Sequence, residues 1–465
     1  MIIVPANTLA AGGFEVANSC RFNDGDSAYM HQTPSGNGSN TVFTLSLWFK
    51  RGQLGTGQSL FAAGTSGVTT LDILSGDTLA FYDGGSTTVF ITNRVFRDVS
   101  AWYHIALICN TGESGTDQCK LYINGVLETS FSTDNRSSLD AVNHVNQTVQ
   151  QSIGQSGTGS QYIDGYLAEI VMLDGTATAI GNLGEYDDDS PTIWKPIDVS
   201  GLSFGTNGYY LDFEDSSNLG NNAGSGAADF TEVNLAATDQ TTDTPTNNFC
   251  VMNPLNMSSM GTLSEGNCLI TGNSASNTGN VASTMAAKNG KWYAECKVGG
   301  KTGDYPRPGF QHTNGTNYGR QVNGTDGGAG GLTDSGAVYA SDGDKFVSNT
   351  LSSFGASFAN DNIINLAIDC DNGAAYVGVN NTWSNSGDPG SAGTKTGAIL
   401  TWTPGAFETG FAATTYNSSF LNFNFGNPAY ANSSDAADAD GYGKFEYAPP
   451  TGYFALCTKN LAEYG

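Results

Sequence analysis

The stretch CKLYINGVLETSF, residues 119–131, alternates apolar and polar side chains up to Asn124-Gly125 and then resumes as a second strand-like run. An Asn-Gly pair between two such runs predicts a two-residue hairpin turn, because both central residues must take positive φ. Further along, AAYVGVNNTWS (374–384) repeats the pattern around Asn380-Asn381. Working outward from the first hairpin, FTLSLWFKR (43–51) puts Phe43, Leu45, Leu47 and Phe49 on one face. WYHIALICN (102–110) groups Tyr103, Ile105, Leu107 and Cys109, and its other face carries Ala106 and Ile108, as a central strand would. YIDGYLAEIVMLDGTA (162–177) closes the region with a Leu167/Glu169/Val171/Leu173 alternation. Short apolar runs punctuated by Gly, Ser, Thr and Asn predict an all-β chain of two sheets packed face to face. Helix-period stretches are nearly absent; the best candidate, STMAAKNG (283–290), is short and ends at a glycine.

The 465 residues suffice for two or three domains, each burying its own core. A net charge of −26 with only 18 basic residues argues against nucleic acid, since phosphate contacts need clustered Lys and Arg. Such acidity suits solubility in salty surroundings or spacing within a crowded assembly. No apolar run approaches the roughly 20 residues that span a bilayer, so membrane insertion is not expected. MIIVPANTLAAGGF has no basic start and does not read as a secretory signal. Without that signal the eight cysteines are expected as buried free thiols, with Cys109 and Cys119 placed to face each other across a hairpin.

The order RFNDGDSAYM, FTLSLWFKRG, AWYHIALICNTG, CKLYINGVL, Ile153-Gly154 and DGYLAEIVMLDG resembles the laminin-G and pentraxin-like branch of the concanavalin A-like sandwiches over residues 14 to 180. From about 263 to 455 the chain resembles a SPRY domain, another concanavalin-like sandwich. GKWYAECKVGG (290–300) stands for the opening strand, NIINLAIDCDNGAAYVGVNNTW (362–383) for the central hairpin and FLNFNFGN (420–427) for the closing strand. Asn360-Asp361-Asn362 replaces the Gly-Asp usual before the central strand, so that family's peptide-binding surface is not carried over. The expected organisation is a laminin-G/concanavalin A-like sandwich over 1–180, an irregular but ordered connector over 181–262, and a SPRY-like sandwich with a C-terminal tail over 263–465. The connector contains GEYDDDSPTIWKP and TDQTTDTPTNNFCVMNPL, which lack apolar periodicity; we expect it to pack on the domains or on neighbouring subunits. The opening segment, DQTTDTPTNNFCVMNPL and the tail PPTGYFALCTKNLAEYG resemble virion proteins of tailed, especially marine, bacteriophages.

Groups able to do chemistry are few. A retaining glycosidase needs two carboxylates about 5–5.5 Å apart. EYDDDS (185–190) lacks the last acid of one glucanase pattern, and Glu214-Asp215 would point to opposite faces of a strand. His31, His104, His144 and His312 sit at no zinc spacing and in no nucleophile elbow, and His104 lies inside a core-like strand. The Asp clusters NDGDS (23–27), YDDDS and DAADADG (435–441) read as solvated turns rather than calcium cages. No cofactor, metal or catalytic residue is therefore expected. Glycan binding needs an aromatic platform beside polar groups, which GDYPRPGFQHTNGTNYGRQ (303–321) offers through Tyr305, Arg307, Tyr318 and Arg320, and NNTWSNSGD through Trp383.

These readings lead to a non-enzymatic phage virion protein of the tail, tail fibre or adaptor region, assembled in the host cytoplasm. Its expected partners are copies of itself, with a trimer favoured, other virion proteins and host-surface polysaccharide as receptor. A head decoration or head-fibre protein is the alternative within the particle. A secreted bacterial lectin and a glycan-degrading enzyme on the same fold are alternatives of other classes.

Overall fold

Strand Val42–Arg51 sets the plan of the first unit. Phe43, Leu45, Leu47 and Phe49 enter a core also built by Leu60, Phe61, Leu71, Phe81 and Phe90 of the facing sheet. The structure, a computed structural model, describes residues 13–85, 87–313, 336–347 and 350–465. It divides between Thr246 and Asn247, and each unit has its own core.

Among the described residues the first unit contains two eight-stranded sheets. In one, Trp102–Asn110, Val42–Arg51, Gly165–Asp174 and Ser19–Phe22 lie side by side, and Cys119–Ile123 adds beyond Trp102–Asn110. In the other, the meander Gln58–Ala63, Thr69–Ile73, Thr78–Asp83 and Thr87–Val95 forms one half. Asn124 and Gly125 take φ of 49° and 76°, the positive pair that the Asn-Gly turn requires. The second arm of that hairpin is shorter than its pattern suggests. Only Val126–Leu127 pairs back, to Tyr122 and Ile123, and Phe131–Asp134 crosses to the opposite sheet beside Thr87–Val95. An exposed two-residue edge offers little backbone for a foreign strand to pair with.

The segment expected as a connector is largely part of this first unit. Tyr209–Leu211 pairs with Gly165–Asp174, Thr231–Val233 with Tyr29–Gln32, and Gln240–Thr241 with Ser19–Phe22. Residues 180–210 cover the outer face of the sheet, where Leu183, Val199, Phe204 and Tyr210 bury Ala106, Val171 and Leu173. The division at 246 thus replaces the expected limits at 180 and 262. Periodicity missed this layer because it is held by short pairings and side-chain bonds rather than by long alternating runs.

The second unit packs a seven-stranded sheet on a nine-stranded one, counted over the described residues. Val281, Met285, Phe310 and Phe411 from the first meet Trp292, Ile364, Val377, Leu421 and Phe423 from the second. STMAAKNG, the best helical candidate, lies mostly in strand Gly279–Ala287; the described α-helix is Thr458–Tyr464. Asn380 and Asn381 take φ of 47° and 62° and close the hairpin between Ala374–Val379 and Thr382–Trp383. Tyr293, Ala367 and Tyr376 alternate with core positions and so reach the outer face of the nine-stranded sheet, where Phe249, Phe445 and Tyr453 cover them. All eight cysteines are buried and unbridged, and Cys109 registers opposite Cys119 as the hairpin predicts. Among the described residues no helix is long and apolar enough to cross a membrane.

Candidate functional site

His104, Glu295 and Glu169 are buried, titratable and engaged by neighbouring side chains or backbone. His104 points outward from Trp102–Asn110 and is fully buried. The indole N–H of Trp194 donates to its Nδ1 at 3.1 Å, which leaves the ring proton on Nε2, 2.8 Å from Ser46 Oγ. The histidine therefore donates to the serine. A nucleophile's base must do the reverse. Burial also lowers the imidazole to about 3, so it stays neutral.

Glu295 sits in strand Lys291–Gly299 with no exposed surface. Its Oε1 accepts from Tyr293 Oη and Tyr447 N, both at 2.8 Å; its Oε2 accepts from Glu446 N at 2.8 Å and Asn424 Nδ2 at 3.4 Å. Burial raises this carboxyl to about 7, against the pull of the two backbone donors. Glu169 occupies a bulge in Gly165–Asp174 with φ of 50°, and Tyr210 Oη donates to it at 2.7 Å. Burial pushes Glu169 up to about 8, and Asp212 and Glu214 add to the rise.

The acidic clusters are structural turns. Asp438 of DAADADG accepts from Asp440 N and Tyr442 N on Oδ1 and from Ala455 N and Asn460 Nδ2 on Oδ2. Four donors occupy the lone pairs that a calcium ion would need. Asn23 accepts from Gly25 N and binds Asp26, and Asp187 accepts from Asp189 N and Ser190 N. The described residues hold no group of three or more ligating side chains placed for a metal ion.

Among the described residues the glycan candidates Tyr305, Arg307 and Trp383 do not form one platform. The guanidinium of Arg307 lies 4.2 Å from the Tyr305 ring centroid and 5.5 Å from that of Phe346, and it bonds Asp304. Arg307 is thus buried as a packing cation, while half-buried Tyr305 tilts against Tyr416. Trp383 belongs to the other sheet and leans on the cluster of Tyr293, Tyr376 and Phe445 as the anchor of its hairpin. Tyr318 and Arg320 lie outside the described residues.

A different cleft was not visible in the sequence. A space of about 530 Å³ opens beside the end of Arg307–His312, strand Asp344–Val347 and the segment 398–407. His312 stacks on Phe407 with centroids 4.6 Å apart and meets Trp402 edge-on at 4.9 Å. Its Nδ1 bonds Thr409 Oγ1 at 2.9 Å, and burial lowers it to about 4. Trp402 is 7% exposed, and its indole N–H has no hydrogen-bond partner among the described residues. Lys345 borders the cleft with its ammonium 4.9 Å from the Phe354 centroid and forms no ion pair among them. The sole sequence signal was TWTPGAF (401–407), a turn rich in aromatic rings.

A family model described as the concanavalin A-like lectin/glucanases superfamily, Laminin_G_3, matches residues 24–179. Residues 24–179 form a concanavalin A-like domain. This concanavalin A-like domain contains the bulge at Glu169 and the buried His104. Among curated proteins no relative matches the chain. Solved structures similar to the chain at low identity include the following three. The SPRY domain of human HERC1 is 12% identical, with 37% of this chain and 96% of that one covered and a TM-score of 0.27. A putative carbohydrate-binding protein from Bacteroides ovatus is 17% identical, with 43% and 53% covered and a TM-score of 0.32. Stonustoxin is 15% identical, with 38% and 27% covered and a TM-score of 0.28.

Proposed function

We propose that the chain is a non-enzymatic structural protein of a tailed-bacteriophage particle, in the tail, tail fibre or adaptor region, that meets host-surface glycan. The observation that supports the non-enzymatic part is the engagement of three buried groups: His104 donates to Ser46, and Glu295 and Asp438 each receive four intrachain donors. Two separately cored sandwiches supply rigid surfaces suited to repetition in a symmetric oligomer, and we favour a trimer. The resemblance of the joint and tail segments to phage virion proteins supports the location. The lectin/glucanase family of residues 24–179 supports contact with saccharide.

Antibody labelling of purified particles tests the location. Label along the tail is the expected result, label on the head would move the protein there, and unlabelled particles would sink the virion reading. A glycan array run beside a polysaccharide-hydrolysis assay tests the rest. Binding without hydrolysis is expected, whereas turnover abolished by substitution of an Asp or Glu would make the chain an enzyme.

A further inference from the structure

We infer that the cleft between His312, Lys345 and Trp402 is a saccharide site that takes a sugar bearing one carboxylate. This rests on the glycan-contact reading above and gives it a place and a ligand class. Three features converge there. Phe407, His312 and Trp402 line the cleft with aromatic surface of the kind that the C–H face of a pyranose covers. Among the described residues the indole N–H of Trp402 is buried without an acceptor, and an orphaned buried donor is destabilising unless something accepts from it. A ligand oxygen would relieve that cost.

The third feature is charge. Lys345 is the cation that lines the cleft, and among the described residues it forms no ion pair, in a chain with 44 acidic residues and 18 basic ones. The ring of Phe354 holds its ammonium in place. Glu408 is the acid next to the lining residue Phe407, and its carboxylate accepts from Thr313 Oγ1 at 3.0 Å. His312 is neutral near pH 7, so a single cation remains to meet an anion. Thr401 and Thr403 add hydroxyls to the rim. A net charge of −26 repels long polyanions, which favours one acidic sugar unit over a heavily charged chain. The volume lies within the roughly 300–1,000 Å³ of small-molecule sites and fits one or two rings.

The test titrates the full chain with methyl β-glucuronide and methyl β-glucoside by calorimetry, with saturation-transfer NMR to show which ligand protons are held. The glucuronide is expected to bind about tenfold more tightly than the glucoside, the worth of one charge-assisted bond. K345Q should erase that preference. W402F, which keeps an aromatic ring but removes the N–H, should weaken both ligands about tenfold. Both variants should melt within a few degrees of the parent, which separates lost binding from lost folding. Equal affinity for the two sugars, or a preference unchanged in K345Q, would overturn the site. Glycan-array binding untouched by both variants would overturn it while leaving the glycan reading intact. A blank array together with no glucuronide binding would remove both.

Discussion

The carboxylate of Asp243 lies 2.6 Å from the ammonium of Lys50, and neither side chain is exposed to solvent. The other oxygen of Asp243 accepts from Trp102 Nε1 at 3.0 Å. Lys50 stands on the outward face of a central strand, and the 240s bring Asp243 to it. A buried ion left without its partner typically costs about 3–5 kcal/mol. D243A should therefore destabilise the first unit by that amount in urea unfolding. K50M/D243L, which removes both charges, should recover most of the loss. A D243A loss below about 1 kcal/mol would show the pair to be dispensable.

The bulge at Glu169 gives the first unit a pH dependence. Its carboxyl stands at 4.5 ordinarily and is pushed to about 8 in the fold, so between those values the folded chain keeps a proton that the unfolded chain has released. Stability from this group falls as pH rises through that window, by at most about 1.4 kcal/mol per pH unit. His104, lowered from 6.5 to about 3, acts oppositely: the unfolded chain binds the extra proton, so its effect is a gain with rising pH that ends near 6.5. Above 6.5 the decline from Glu169 should stand out. The melting temperature of the first unit is expected to drop between pH 6.5 and 8, and E169Q, which still accepts from Tyr210, should flatten that drop. An identical slope in E169Q would refute the assignment.

The proton position on His104 can be read directly. Long-range ¹H–¹⁵N NMR should show the Nε2–H tautomer persisting well below pH 5. W194F removes the donor to Nδ1 and should let the ring titrate closer to its ordinary range. An Nδ1–H tautomer in the parent protein would reopen the serine–histidine question.

Asp438 should answer to mutation rather than to metal. Calcium or a chelator is expected to shift the melting temperature of the second unit by less than a degree or two. D438A strands four donors and should cost about 2–4 kcal/mol. Calcium-dependent stabilisation that D438A abolishes would mean that the loop is an ion site after all.

The two sandwiches were legible because alternation and Asn-Gly or Asn-Asn turns act over a few residues. Phe43 to Phe49 and Asn380-Asn381 needed no distant partner to be read. The layer over the first sheet was illegible for the opposite reason. Asp243 and Thr246 are held by side-chain bonds to Lys50, Trp102 and Val16, and such bonds leave no period in the sequence. The packing of two binding candidates was illegible on the same ground: Arg307 and Trp383 read as loop side chains, yet Arg307 lies against the Tyr305 ring and Trp383 packs on a buried cluster. The cleft at Trp402 draws on His312, Lys345 and Phe407, residues that only sheet order brings together.

Val16 N donates to Thr246 Oγ1 at 3.1 Å, and that hydroxyl donates back to Val16 O at 3.3 Å, so an early residue of the first unit is tied to its last one. A module whose two ends meet can enter or leave a longer polypeptide as a loop does, with no change in the path of its host. By the same geometry its ends could be joined and new ones cut at an exposed turn such as Asn124-Gly125. Natural exchange of this sandwich between unrelated chains would thus need only a splice, and each recipient would acquire a folded surface in one step.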